Sequence, residues 1–152
     1  MALEAFVAKW CIADYPPAQV SEADLLAAEQ RLNTKLPADY RSEVLRVGLP
    51  RPTAALLDSI AEPALDLDPV HDFLRPGDIV SETEGWRPLG LPKSGVAFAT
   101  DGCGNLFYFD AESPSPNAVR FFDHDFQSVK EVASCFTEWI ERLNEVERLE
   151  LD

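Results

Sequence analysis

The sequence has few basic residues, few cysteines and no long apolar run. Only 13 residues are Lys or Arg against 27 Asp and Glu, a formal charge of −14 in 152 residues. A binder of nucleic-acid backbone draws its affinity from cations that displace counterions, so nucleic acid is not the expected partner. The same shortage disfavours docking to anionic lipid. No stretch of 18 apolar residues occurs, so no spanning helix is expected. The start Met1-Ala-Leu-Glu-Ala lacks the basic and apolar regions of a secretory signal. A cytoplasmic protein is the expectation. The three cysteines, Cys11, Cys103 and Cys135, show no CxxC spacing and are odd in number, which argues against a disulfide framework. Cys11 and Cys135 sit among apolar neighbours and are expected to be buried, whereas Cys103 lies in a polar turn. With only His71 and His124 and no HxxxH or HxxE spacing, neither a metal site nor a cofactor is expected. Gly102-Cys-Gly104 runs into a strand and not a helix, so it is no dinucleotide fingerprint.

What is present suits one globular domain over residues 1–152, since domains run to about 100–200 residues. A hydrophobic share of 46% with three Trp is too high for a disordered chain. Leu3 to Ile12 reads as a helix with Phe6, Val7, Trp10 and Cys11 on one side, ended by Tyr15-Pro-Pro17. A second helix follows Ser21, which caps it with Asp24 three residues on; Leu25, Leu26, Ala28 and Leu32 form its apolar face. Leu36-Pro37 breaks that helix, and a third runs from Ala38 to Val47, closed by Gly48. Residues 49–93 hold seven of the twelve prolines. Within them Thr53–Ala61 fits a helix or a strand, and Pro76–Glu84 fits a helix. Gly95–Thr100 and Leu106–Asp110 are apolar, aromatic runs joined by Asp101-Gly-Cys-Gly-Asn105, a hairpin signal. Ala118–Phe122 is a third strand. Ser128 with Glu131 reads as a capping box, and Val129, Val132, Ala133, Phe136, Ile140 and Leu143 recur at helical spacing. A long closing helix from Ser128 to Glu147 is therefore expected. Helices, then a meander, then a helix make an α+β fold with a mostly antiparallel sheet, partly wrapped by N-terminal helices and a long C-terminal helix.

Three segments resemble a known family. They are Glu29-Gln-Arg-Leu-Asn-Thr-Lys-Leu-Pro-Ala-Asp-Tyr-Arg41, Val96 to Asp110, and Val119-Arg-Phe-Phe-Asp-His-Asp125 followed by Val132-Ala-Ser-Cys-Phe-Thr-Glu-Trp-Ile140. In order and rough spacing over residues 20–145 they look like the SUKH superfamily, also called the Smi–Knr type domain. Cys135 interrupts the family's usual Ser-Phe pair, and the Asn-Gly-Gly feature after the Asp-Tyr helix is reduced to Gly48-Leu-Pro. The resemblance implies one α+β domain. It also implies a protein-binding role, as an immunity protein that occludes a cognate toxin or as a regulatory interaction module. No catalytic residue set comes with it.

The acids are placed unevenly. Residues 101–152 hold 12 acids against 4 bases. Acids are usually a solvated face, but they can also form a docking surface that speeds approach of a basic partner. Asp66, Asp68, Asp72, Asp101, Glu112, Asp123 and Asp125, with Trp86 as an aromatic anchor, are the candidate partner-binding residues. Trp139 is placed near the edge of an apolar face and is read as core. Asp123-His124-Asp125 puts an imidazole between two carboxylates, and Cys103 is a potential thiol nucleophile. Both fit a polar strand end and a turn better than a catalytic centre. The expectation is a non-enzymatic protein binder, monomeric or weakly dimeric, whose partner is a basic toxin domain such as a nuclease.

Overall fold

The computed structural model describes residues 1–150. Six α-helices and five strands follow the chain as α1 (Ala2–Trp10), α2 (Glu22–Leu32), α3 (Ala38–Val47), α4 (Ala54–Ala61), β1 (Asp72–Phe73), α5 (Pro76–Trp86), β2 (Gly95–Thr100), β3 (Leu106–Asp110), β4 (Val119–Asp123), β5 (Ser128–Ala133) and α6 (Phe136–Asn144). A 3-10 turn, Arg87–Leu89, continues α5. The sheet is an antiparallel meander in the order β1-β2-β3-β4-β5. The fold is α+β.

Local chemistry accounts for the helix ends. Ser21 accepts the Asp24 amide at 3.1 Å and starts α2, and Asn33 closes it in the left-handed region. Gly48 follows α3 with φ +97° and ψ −174°, so it turns the chain without being a left-handed helical cap. A Cβ there would lie 2.8 Å from the Ala18 carbonyl oxygen, which only glycine avoids. Residues 54–61 are helical, which decides between the two forms open at that segment. Leu26 points to solvent, away from buried Leu25, Ala28 and Leu32.

The closing helix is shorter than expected. Ser128–Ala133 is a strand, and α6 has nine residues ending at Asn144. The Ser128–Glu131 capping box does not form. Instead Glu131 lies opposite Arg120, and β5 satisfies the edge of β4 over Val119–Asp123. The cap of α6 lies seven residues later, at Cys135. The Cys135 sulfur accepts the Glu138 amide at 3.5 Å, and the Glu138 carboxylate accepts from the Ser134 amide and hydroxyl. Bonding to Ser134, with Arg142 nearby, holds the Glu138 carboxyl below its ordinary pKa.

One face of the sheet carries an aromatic cluster. Phe98 stacks on Phe109 at 4.1 Å, and Tyr40 meets Phe98, Phe109 and Phe136 edge-on at 5.2–5.5 Å. Trp139 packs on Phe73, Phe98 and Phe107 and is 1% exposed, so it belongs to the core. The opposite face carries Phe122, against Trp86 from α5, and the Thr83 hydroxyl accepts the Ala97 amide at 2.9 Å where the β2–β3 register shifts. The core runs contiguously from Leu3 to Val146.

Candidate functional site

Successive turns of a meander fall at alternate ends of the sheet. The β2–β3 turn, residues 101–105, therefore shares an end with the β4–β5 turn, residues 124–127. The start of β1 joins them, because the His71 amide donates to the Thr100 carbonyl at 2.8 Å and Asp72 lies opposite Thr100. Asp72, Asp101, Asp123 and Asp125 are thus gathered at one end of the molecule.

Each turn is built by its own carboxylate. Asp101 Oδ1 accepts the amides of Cys103 at 2.8 Å and Asn105 at 3.1 Å, while Oδ2 accepts the Asn105 side-chain amide at 2.8 Å. Asp123 Oδ1 accepts the amides of Asp125 at 3.0 Å and Phe126 at 3.2 Å. These are Asx turns, in which a short acid replaces a backbone acceptor. Gln127 completes the second turn with φ +52°. The two turns are tied together through Asn105, whose Oδ1 accepts the His124 amide at 3.0 Å and lies 2.7 Å from His124 Nδ1. The imidazole rests against Trp86 at 5.6 Å between centroids, and its Nε2 is 3.3 Å from Asp125 Oδ1. Gly104 permits this approach, since a Cβ there would lie 2.9 Å from the His124 ring at φ +90°. Trp86 is half-buried, with its indole N–H donated to Glu82 at 3.1 Å.

The other candidates lie apart. Glu112 is on the β3–β4 turn at the opposite end of the sheet, where its amide is held by Asp110 at 3.1 Å. Asp68 is paired with Lys130 at 2.9 Å, and Asp66 is exposed on the loop before β1. Cys103 is exposed; Cys11 and Cys135 are half-buried. Burial pushes the Cys11 thiol up to about 11.

Asp123, His124 and Asp125 offer three ligand atoms within 4.8 Å of one another. One oxygen of Asp123 and Nδ1 of His124 are already occupied in holding the turns. Among the cavities, one of about 680 Å³ lies between α2 and the start of α5, and one of about 420 Å³ lies between residues 49–52 and β1, where Asp72 lines it. Neither is lined by Cys103, Asp123 or His124.

The reading of the sequence missed Phe126. This side chain is 81% exposed at the apex of the β4–β5 turn, the most exposed large apolar group among the described residues. Expecting a helix from Ser128 hid the hairpin that displays it.

The family model of the SMI1 / KNR4 family (SUKH-1) matches residues 19–142. The chain belongs to that family. No curated protein matches the chain. The three SUKH-like segments of the sequence all fall within the match, and the structure gives them roles in holding the fold. Glu29 accepts the Leu36 amide at 2.8 Å and pairs with Arg41. Asp39 accepts the Thr137 amide at 3.0 Å and hydroxyl at 3.2 Å, joining the starts of α3 and α6. Helix α1 precedes the SUKH-1 match but is part of the same core. Leu3, Phe6 and Trp10 are buried, and Lys9 and Ala2 both bond to Asn144 in α6. Among the described residues, no helix is long and apolar enough to cross a membrane.

Proposed function

We propose that this SUKH-1 chain is an immunity protein that binds a basic toxin domain stoichiometrically and blocks it by occlusion, without turnover. The observation that carries this reading is the gathering of Asp72, Asp101, Asp123 and Asp125 at one end of a chain of charge −14, with the aromatic pair Trp86 and His124 beside Asp125. A surface of one sign raises the rate at which an oppositely charged partner arrives and penalises partners of like charge. Asx turns hold two of these carboxylates on short hairpin turns. Little side-chain freedom is then lost when a partner engages them. A toxin that acts on nucleic acid must itself be basic to hold its substrate, which makes a nuclease a fitting partner.

The test is co-expression with the toxin domain encoded beside this chain. Cells survive and a one-to-one complex is isolated if the reading holds. Unprotected cells and no complex would refute it, and would favour a regulatory interaction module.

A further inference from the structure

The same end of the molecule carries an unexplained apolar patch. Phe126 is 81% exposed, Leu89 58% and Val129 51%, three of the nine exposed large apolar side chains. The structure places them together. Val129 lies opposite Phe122 in the β4–β5 ladder, so both side chains are on the face against which Trp86 packs. Gly90, next to Leu89, fits so closely that a Cβ would meet the Gln127 side chain and the Phe122 ring. The Gly90–Gln127 contact therefore brings the turn that carries Leu89 beside the hairpin that carries Phe126 and Val129, where Phe122 packs on Trp86. Asp125 directly precedes Phe126 and Asp123 lies three residues before it, and Glu131 follows Val129 on the same face of the strand. The local cations are engaged. Lys130 lies on the other face, over Phe121 at 5.4 Å and paired with Asp68, and Arg120 is 3.9 Å from Glu131.

An apolar centre with a polar rim is the anatomy of a protein-docking surface, and here the rim is mostly acidic, through Asp123, Asp125 and Glu131, with Arg120 beside Glu131. We infer that Leu89, Phe126 and Val129 are the apolar anchor of the toxin interface, with Phe126 entering an apolar socket that the partner rims with Lys or Arg. This rests on the immunity reading above and names the contact that holds the complex once charge has brought it together. Charge complementarity commits the occupant. A second copy of this chain would set Asp123, Asp125 and Glu131 against a similarly acidic rim.

The two kinds of contact separate kinetically, since rim charges act mainly on association and buried anchors mainly on dissociation. The experiment measures both rates for the toxin domain encoded beside this chain, binding wild type, Phe126→Ala, Leu89→Ala and Leu57→Ala. Leu57 is a control, 49% exposed on α4. Phe126→Ala is expected to speed dissociation at least tenfold and Leu89→Ala several-fold, with association and thermal midpoint near wild type, while Leu57→Ala changes nothing. A complex formed by wild type and by Phe126→Ala with the same dissociation rate overturns the anchor and leaves the immunity reading standing. Failure of wild type to bind overturns both.

Discussion

The hydroxyl of Tyr40 lies inside the aromatic cluster with no hydrogen-bond partner among the described residues. Its burial pushes the phenol pKa upward. The residue is part of the Leu36-Pro-Ala-Asp-Tyr40 segment that resembles the family motif, and its ring meets three others at 5.2–5.5 Å. A buried polar group left unpaired costs roughly 1–3 kcal/mol. Tyr40→Phe is therefore expected to keep or raise the stability measured by urea unfolding, whereas Tyr40→Ala should lower it by about 3–5 kcal/mol. A loss of more than about 1 kcal/mol in Tyr40→Phe would mean that the hydroxyl has a partner, such as an ordered water. Asp39, beside it, is committed to Thr137. In these two residues the family motif works for the core, and binding chemistry has to be sought elsewhere on the surface.

At the scale of elements, the β4–β5 hairpin depends on one carboxylate. Asp123→Ala removes the acceptor of the Asp125 and Phe126 amides, each bond contributing about 1 kcal/mol. The expected result is roughly tenfold faster hydrogen exchange at the β5 amides bonded to β4, with the α6 amides unchanged. Unchanged exchange in β5 would show that the ladder alone sets the hairpin. This element is also where the sequence misleads. Val129, Val132, Phe136, Ile140 and Leu143 repeat at helical spacing across a strand and a helix, and Ser128-x-x-Glu131 imitates a cap. What decides the outcome is tertiary, namely the open edge of β4, which a strand can satisfy and a helix cannot. The β2–β3 hairpin was legible because its glycines and flanking aromatics are adjacent in sequence, and α3 because Pro37 and Gly48 bracket it. The candidate site was legible in part. Asp101 stands out as an acidic turn residue, Asp123 and Asp125 as a polar strand end, and Trp86 as an aromatic anchor whose place beside them only the fold shows. Glu112 looks equivalent but falls at the far end because consecutive hairpin turns alternate. Phe126 could be found only once Ser128–Ala133 is a strand.

At the scale of the whole molecule, charge and shape point the same way. Residues 101–152 carry 12 of the 27 acids, and the meander lifts Asp101, Asp123 and Asp125 to one end, with Phe126 at the tip. Lys130 is paired with Asp68 and Arg120 lies 3.9 Å from Glu131, which leaves Asp101, Asp123 and Asp125 without a Lys or Arg partner among the described residues. Long-range attraction of this kind is screened over about 8–10 Å at physiological salt. The most direct measurement is the association rate of this chain with the basic toxin domain proposed as its partner, followed from low to high ionic strength. The account predicts a steep fall in that rate as salt rises, with the dissociation rate changing much less. A rate indifferent to salt, or one that rises with it, would contradict the acidic end of the sheet as the docking surface.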